Sequence, residues 1–341
     1  MVSVKDIARE CNVSIATVSK ALNNYGDIGE TTREKVKECA ERLGYFPNSS
    51  ARALKTKRSY NLGVLFKEDA NSGLTHDFFS HVLESLRETA EENGYDITFT
   101  SQYIARRKMT YLEHCVYRGL DGVVIACVDF SAPAVQELIQ SDLPVVTIDH
   151  VFDNRIAVVS DNVHGMRDLA EYVISRGHKK IAYIHGLDSS VTRARVASFH
   201  HTLAEHGLSA GEEYTPECPY RDYRLAAKLT EDLLALKEPP TCILYPDDYS
   251  CFGGYNDLVR RGYRIGQDIS IAGYDGIELT GLLNPQLTTI HQDTDSIGSI
   301  AARKLISLIE EPKTTIIDKI VVPGALVEGG TVADLTGTGK Q

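Results

Sequence analysis

Four carboxylates in this 341-residue chain sit directly behind short apolar, β-branched runs: Asp149 behind PVVTI, Asp247 and Asp248 behind CILYP, and Asp275 behind ISIAGY. Arg195 falls in the helix opening that follows IHGLDSS. In open α/β sheets ligands bind in the crevice beyond the carboxyl ends of the strands, and these are the residues such a ligand would meet. Carboxylates accept from paired hydroxyls, a guanidinium donates to ring or hydroxyl oxygens, and an aromatic face covers the C–H side of a sugar. The chemistry indicated is recognition of a polyol. Four carboxylates against one Arg disfavour an anion, so a neutral polyol is expected, with a stacked nucleobase as the second choice.

Catalysis finds little support. No G-x-S-x-G elbow is present, no G-x-G-x-x-G follows a strand, and the late GTGK lacks the spacing of a phosphate-binding loop. His200, His201 and His206 share one helix without an acidic ligand set or HExxH spacing. Adjacent Asp247 and Asp248 diverge in direction too readily to serve as a glycosidase pair. The seven cysteines (11, 39, 115, 127, 218, 242 and 251) are odd in number and lack CxxC spacing, which reads as free thiols in a reducing compartment with no metal. The expectation is a protein that is not an enzyme and needs no cofactor.

The first sixty residues point to a different partner. Val4, Ile7, Ala8 and Cys11 repeat on one helical face behind a Ser3 N-cap, and Asn12-Val13 breaks that helix. Ser14 caps a second helix to about Leu22, with Val18 and Leu22 inward and Ile15, Ala16, Thr17, Ser19 and Lys20 free to point out. A third helix, expected to open on a Thr31/Glu34 capping box, buries Val36, Cys39, Ala40 and Leu43 and stops at Gly44, with Pro47 preventing a restart. This is a helix-turn-helix, whose second helix reads the major groove of double-stranded DNA. Ile15 and Ala16 suit thymine methyls and Lys20 suits guanine acceptors, while Thr17, Ser19, Asn23 and Tyr45 are expected on phosphates. Residues 1–60 hold 11 Lys/Arg against 7 Asp/Glu, whereas the remainder holds 25 against 40, so only the head is suited to meet phosphate.

The wording VKDIARECNVSIATVSKALN, then TREKVKECAERLGYFPNSSARALKT, resembles the DNA-binding headpiece of the LacI/GalR family of bacterial regulators, from Val4 to Thr56. Later phrases, among them GVVIACVD, LPVVTIDH and ISIAGYDG with NPQLTTIHQD, are similar to that family's periplasmic-binding-protein type core, so the likeness spans roughly residues 2–330. The resemblance implies effector contacts at Phe78, Phe79, Asp149, Arg195, Tyr223, Asp247, Asp275 and Gln292. A ligand there would bridge Asp149 and the 76–79 loop of one lobe to Arg195, Tyr223, Asp247 and Asp275 of the other. It also implies that SSARALKT (49–56) is a hinge helix that forms on the operator, with Leu54 wedged into the minor groove and Arg52 and Lys55 beside it. Ser198 stands where relatives carry Gly, Asp247 where Asn is frequent, and HDFF (76–79) where N-P-F-F is usual, which bears on the identity of the effector.

From Leu62 onward short strands alternate with helices, which indicates parallel sheets with right-handed crossovers. Strands are expected at 62–66, 96–99, 122–126, 144–149, 157–160, 180–186, 242–245, 269–275, 288–293 and 319–323. Helices are expected at 77–92, 106–118, 133–140, 162–176, 191–206, 223–236, 250–261 and 295–310. The fold class is α/β: a three-helix headpiece plus two doubly wound parallel-sheet subdomains. The expected divisions are headpiece 1–48, hinge and linker 49–60, first core lobe 61–160 with 290–330, second lobe 161–289, and flexible tail 331–341. No apolar run reaches membrane-spanning length and the chain opens in a polar amphipathic helix, so a cytoplasmic protein without a signal peptide is expected. An exported sugar-binding transport protein is the alternative that the headpiece opposes. Operator selectivity from so small a head requires a homodimer on a near-palindrome, and no heptad repeat after residue 323 suggests a tetramerising coiled coil.

Overall fold

The computed structural model describes residues 2–46, 58–67 and 73–338. It divides into a small N-terminal unit ending at Ser59 and a large unit from Tyr60 onward.

In the small unit α1 (Val4–Cys11), α2 (Ile15–Leu22) and α3 (Glu30–Leu43) enclose one core of Ile7, Ala8, Cys11, Val18, Ala21, Val36, Cys39 and Ala40. Ser3 and Asp6 cap α1 reciprocally, and Asn12 takes the left-handed conformation (φ 55°) that turns the chain toward α2. The expected Thr31 cap is corrected. Helix α3 starts at Glu30 behind Gly29, and Arg33 fixes that start by donating to Glu30 and to the carbonyls of Tyr25 and Ile28. Gly44 (φ 65°) ends the helix as expected.

The large unit has two lobes. The first is a six-stranded parallel sheet built from β1 (Asn61–Phe66), β2 (Asp96–Phe99), β5 (Gly122–Ala126), β6 (Val145–Ile148), β7 (Ile156–Ser160) and β12 (Lys319–Val322), in the order β12-β7-β6-β5-β1-β2. Helices α4 (Asp77–Glu92) and α11 (Thr294–Glu310) cover one face, and α5 (Tyr111–Arg118) and α6 (Pro133–Gln140) cover the other. The second lobe has a parallel sheet of β8 (Ile181–Tyr183), β9 (Cys242–Leu244) and β10 (Ser270–Ala272). Helices α7 (Asn162–Ser175) and α8 (Ser190–Glu205) pack on one side of it, with α9 (Tyr223–Leu234) and α10 (Asp248–Arg260) on the other. Strand β11 (Thr289–Gln292) pairs antiparallel with β13 (Gly324–Val327) and is bridged to the β10 region through Thr288 and His291. The chain crosses between lobes at Asp161, Asp293 and Pro323.

Three expectations change. Residues 103–108 form a β3 (Tyr103–Ile104)/β4 (Arg107–Lys108) hairpin, because Ala105 and Arg106 take positive φ and the Thr110–Glu113 capping box delays the helix to Tyr111. Strand β11 belongs to the second lobe, with Ile290 inside that lobe's core. So does the chain after Pro323: Thr331 is fully buried and donates to the Ile271 carbonyl at 2.8 Å, Val332 joins the core, and the Leu335 amide donates to the Arg176 carbonyl. The described part of the expected tail, 331–338, is therefore docked against the second lobe.

Helices α4 and α11 approach closely enough that a Cβ on Gly298 would lie 2.2 Å from the Val82 carbonyl oxygen. Gly298→Ala must push the helices apart. It should destabilise the large unit by about 1–3 kcal/mol, read as a lowered Tm; an unchanged Tm would contradict this packing.

Candidate nucleic-acid interface and ligand site

Helix α2 begins where Ser14 accepts from the Thr17 amide at 3.0 Å, and it buries Val18 and Ala21 completely. The opposite face is open: Ile15 is 51% exposed, and Ala16, Lys20 and Asn23 are exposed. Thr17, Ser19 and Tyr45 are half-buried. The Ser14 hydroxyl is occupied by capping and by a 2.8 Å contact with Thr17 Oγ1, and Lys20 pairs with Asp27, which lowers the Asp27 pKa. The apolar pair Ile15–Ala16 is thus presented without competing partners, while Lys20 must exchange Asp27 to reach a base. Arg33, Lys35 and Arg42 hold the bundle together through Glu30, the Cys11 carbonyl and Glu10 respectively. Arg52, Leu54 and Lys55 lie outside the described residues.

In the large unit Arg195 is the centre of the candidate ligand site. It is 3% exposed. Its Nε donates to Asn162 Oδ1 at 2.7 Å, its Nη1 donates to the Pro246 carbonyl at 3.0 Å, and the guanidinium lies 3.5 Å over the Tyr274 ring. Burial alone lowers its pKa, but Tyr274, Tyr220, Tyr183 and Asp275 outweigh that and keep it charged. Asp275, at φ 110°, accepts from Gln292 Nε2 at 2.7 Å. Burial raises the Asp275 pKa to about 7 against the opposing pull of Arg195. Two buried polar atoms in this cluster, the Tyr183 hydroxyl and Gln292 Oε1, have no hydrogen-bond partner among the described residues. Asp149 (φ 56°) closes the first-lobe strand β6; it accepts from the Ser160 amide at 2.9 Å, and burial raises its pKa. The Ser190 hydroxyl of the second lobe donates to the Asp149 carbonyl at 3.1 Å.

Other expected contacts do other work. Asp247 is the N-cap of α10 and accepts from the amides of Ser250 and Arg221 and from the Ser250 hydroxyl, at 2.7–2.8 Å. That carboxylate is saturated by the protein. Asp248 is likewise saturated, by Thr289 Oγ1 and the amides of Gly276 and Ile277. Tyr223 is 50% exposed and its hydroxyl accepts from Arg224, so it does not join the Arg195 cluster. Phe78 belongs to the first-lobe core, whereas Phe79 is half-buried beside Phe66, Phe78 and His76. Ser198 ties α8 to α7 by donating to the Val163 carbonyl at 2.7 Å, a bond that glycine in its place would lack.

The sequence reading missed Asn162, Tyr183 and Tyr274 of this cluster, and also Tyr220 and Arg221. Tyr220 joins Tyr274 and Tyr183 near Arg195, with its hydroxyl 2.9 Å from Thr192 Oγ1. Arg221 (φ 63°) reaches across the lobes: its Nη1 lies 3.6 Å from Asp77 Oδ2, and its guanidinium lies 4.0 Å over the Tyr249 ring. The only signal in the sequence was the phrase YRDYR, whose second tyrosine drew the assignment. Phe130 and His150 also stack at 4.2 Å behind β5 and β6, where burial lowers the His150 pKa.

Residues 3–48 match the bacterial regulatory proteins of the lacI family, and residues 170–332 match the periplasmic binding protein-like domain. The probable transcriptional repressor ExuR of Bacillus subtilis is 31% identical over 322 residues, covering 92% of this chain and 93% of that one. The ribose operon repressor of Haemophilus influenzae is 30% identical over 316 residues, covering 92% and 93%. The crystal structure of the lac repressor dimer bound to operator and the anti-inducer ONPF superposes with a TM-score of 0.81 at 26% identity, covering 97% of this chain and 99% of that one. The chain belongs to the LacI family of bacterial regulatory proteins, as a DNA-binding transcriptional regulator with a ligand-responsive core and not as an enzyme.

Proposed function

We propose that this regulator represses a carbohydrate-utilisation operon, acting in the cytoplasm as a homodimer on a near-palindromic operator, with a sugar-type effector held between the core lobes. The observation that carries the effector reading is the Arg195 cluster. A permanently charged guanidinium, a carboxylate titrating near neutrality and two unpartnered buried polar atoms meet at the carboxyl ends of the strands. Asp275 and Gln292 suit sugar hydroxyls, and Tyr220 offers the aromatic face first assigned to Tyr223. Exposed apolar side chains on both lobes, including Tyr103, Val116 and Tyr117 on the first and Leu282 on the second, provide surface for a two-fold interface. Effector control follows if the sugar binds one lobe arrangement better than the other.

Base reading is assigned to Ile15, Ala16 and Lys20, with Thr17, Ser19, Asn23 and Tyr45 on phosphates and Leu54 at the minor groove. Sites selected from random duplexes by wild type and by Lys20→Ala should differ at one symmetric base pair. A uniform loss of affinity on every sequence would make Lys20 a phosphate contact instead.

Asp275→Asn, which preserves shape, and Arg195→Ala should both keep operator binding and lose its response to sugars, titrated with a panel of hexoses and pentoses. A full response in both variants places the effector elsewhere. Because Asp275 titrates near 7, and a hydroxyl donates to the charged form, sugar affinity should rise as pH passes from about 6 to about 8. Asp275→Asn should flatten that rise.

A further inference from the structure

The headpiece holds a side-chain cluster that DNA reading does not use. Cys11, the last residue of α1, is 2% exposed, and Cys39 in α3 is 5% exposed. Cys11 Sγ lies 3.7 Å from the carbonyl of Lys35, one turn before Cys39 on α3. Both line a groove of about 240 Å³ together with Glu10, Lys35, Glu38 and Arg42. Arg42 Nη2 stands 3.9 Å from Cys39 Sγ, and Lys35 Nζ donates to the Cys11 carbonyl at 3.1 Å. Two thiols that line one groove on facing helices have the arrangement that intramolecular thiol–disulfide exchange needs.

We propose that Cys11 and Cys39 are a modification site, closing to an intramolecular disulfide that lowers operator affinity under oxidation by a low-molecular-weight disulfide. Cys39, beside Arg42, loses its proton and attacks one sulfur of the small disulfide, releasing one thiolate and leaving a mixed disulfide. Cys11 then gives up its proton and attacks Cys39 Sγ, displacing the second thiolate. The two protons end on the departing thiolates, so two protein thiols are oxidised and one disulfide is reduced to two thiols. Burial raises the Cys11 pKa, which suits it to the second, intramolecular step. The new bond draws the end of α1 toward α3 to the covalent S–S distance. Asn12 and the turn that aims α2 follow Cys11 immediately, so the reading helix is displaced.

The test uses the full-length chain, treated with oxidised glutathione, alkylated, digested without reduction and analysed by mass spectrometry. A Cys11–Cys39 peptide pair, two hydrogens lighter than the separate peptides, is expected. Affinity for the duplex selected by the reduced protein should fall about tenfold or more, with recovery in dithiothreitol. Cys39→Ser and Cys39→Ala, checked for helicity so that a folded variant is compared, should lose both responses, and Cys127→Ser should retain them. Glutathione adducts that remain on Cys11 or Cys39 without cross-linking, or both thiols still alkylatable after Cys127 has reacted, would overturn the site. A cross-linked protein of unchanged affinity would overturn the switch.

Discussion

A buried guanidinium has to be satisfied, and most of the candidate ligand site follows from how that is done for Arg195. An ion removed from water is tolerated only where hydrogen bonds and opposing charge replace its hydration. The replacements come from separate elements: Asn162 at the start of α7, the Pro246 carbonyl behind β9, and the face of Tyr274 behind β10. Meeting these demands fixes where three strand ends sit. Asp275 follows Tyr274 directly, so the same constraint places the carboxylate that titrates near neutrality.

Around that centre the carboxylates separate into two kinds. Asp247, the N-cap of α10, and Asp248, which ties Gly276, Ile277 and Thr289 together, each accept three hydrogen bonds from amides and hydroxyls, while Asp149 and Asp275 retain capacity toward the cleft. Burial raises the pKa of all four, so the site is less negative than four ionised aspartates would make it, and Arg221 adds a second cation. Arg221, Asp77 and Tyr249 connect the lobes, as does Ser190 with Asp149. A ligand in the proposed cleft site would act where interlobe contacts already exist, which is where a small binding energy can bias a lobe angle.

Amphipathic period made the scaffold legible. Helices 77–92 and 133–140 and strands 96–99 and 122–126 have the bounds that the pattern alone predicts. The misses share a cause. The strand-end rule located Asp247 correctly but could not show that its lone pairs are filled by Ser250 and the Arg221 amide. Tyr223 opens helix α9, whereas Tyr220 lies in the turn three residues earlier, and which of the two faces Arg195 is set by side-chain directions that exist only in three dimensions. Phe78, next to Phe79, looks equivalent in sequence, but helical phase buries it in the core. The return of 324–338 to the second lobe rests on β11–β13 pairing and on Thr331, contacts distant in sequence that leave little periodic trace.

The central claim is that a sugar held between the lobes engages the Arg195 cluster. Amide hydrogen exchange of the full-length protein, with and without a sugar that raises its Tm, tests this most directly. The account predicts added protection at 147–149 of the first lobe and at 183–185, 220–222, 274–276 and 291–292 of the second. Protection confined to one lobe, or gathered at a surface away from these segments while the Tm still rises, would contradict it.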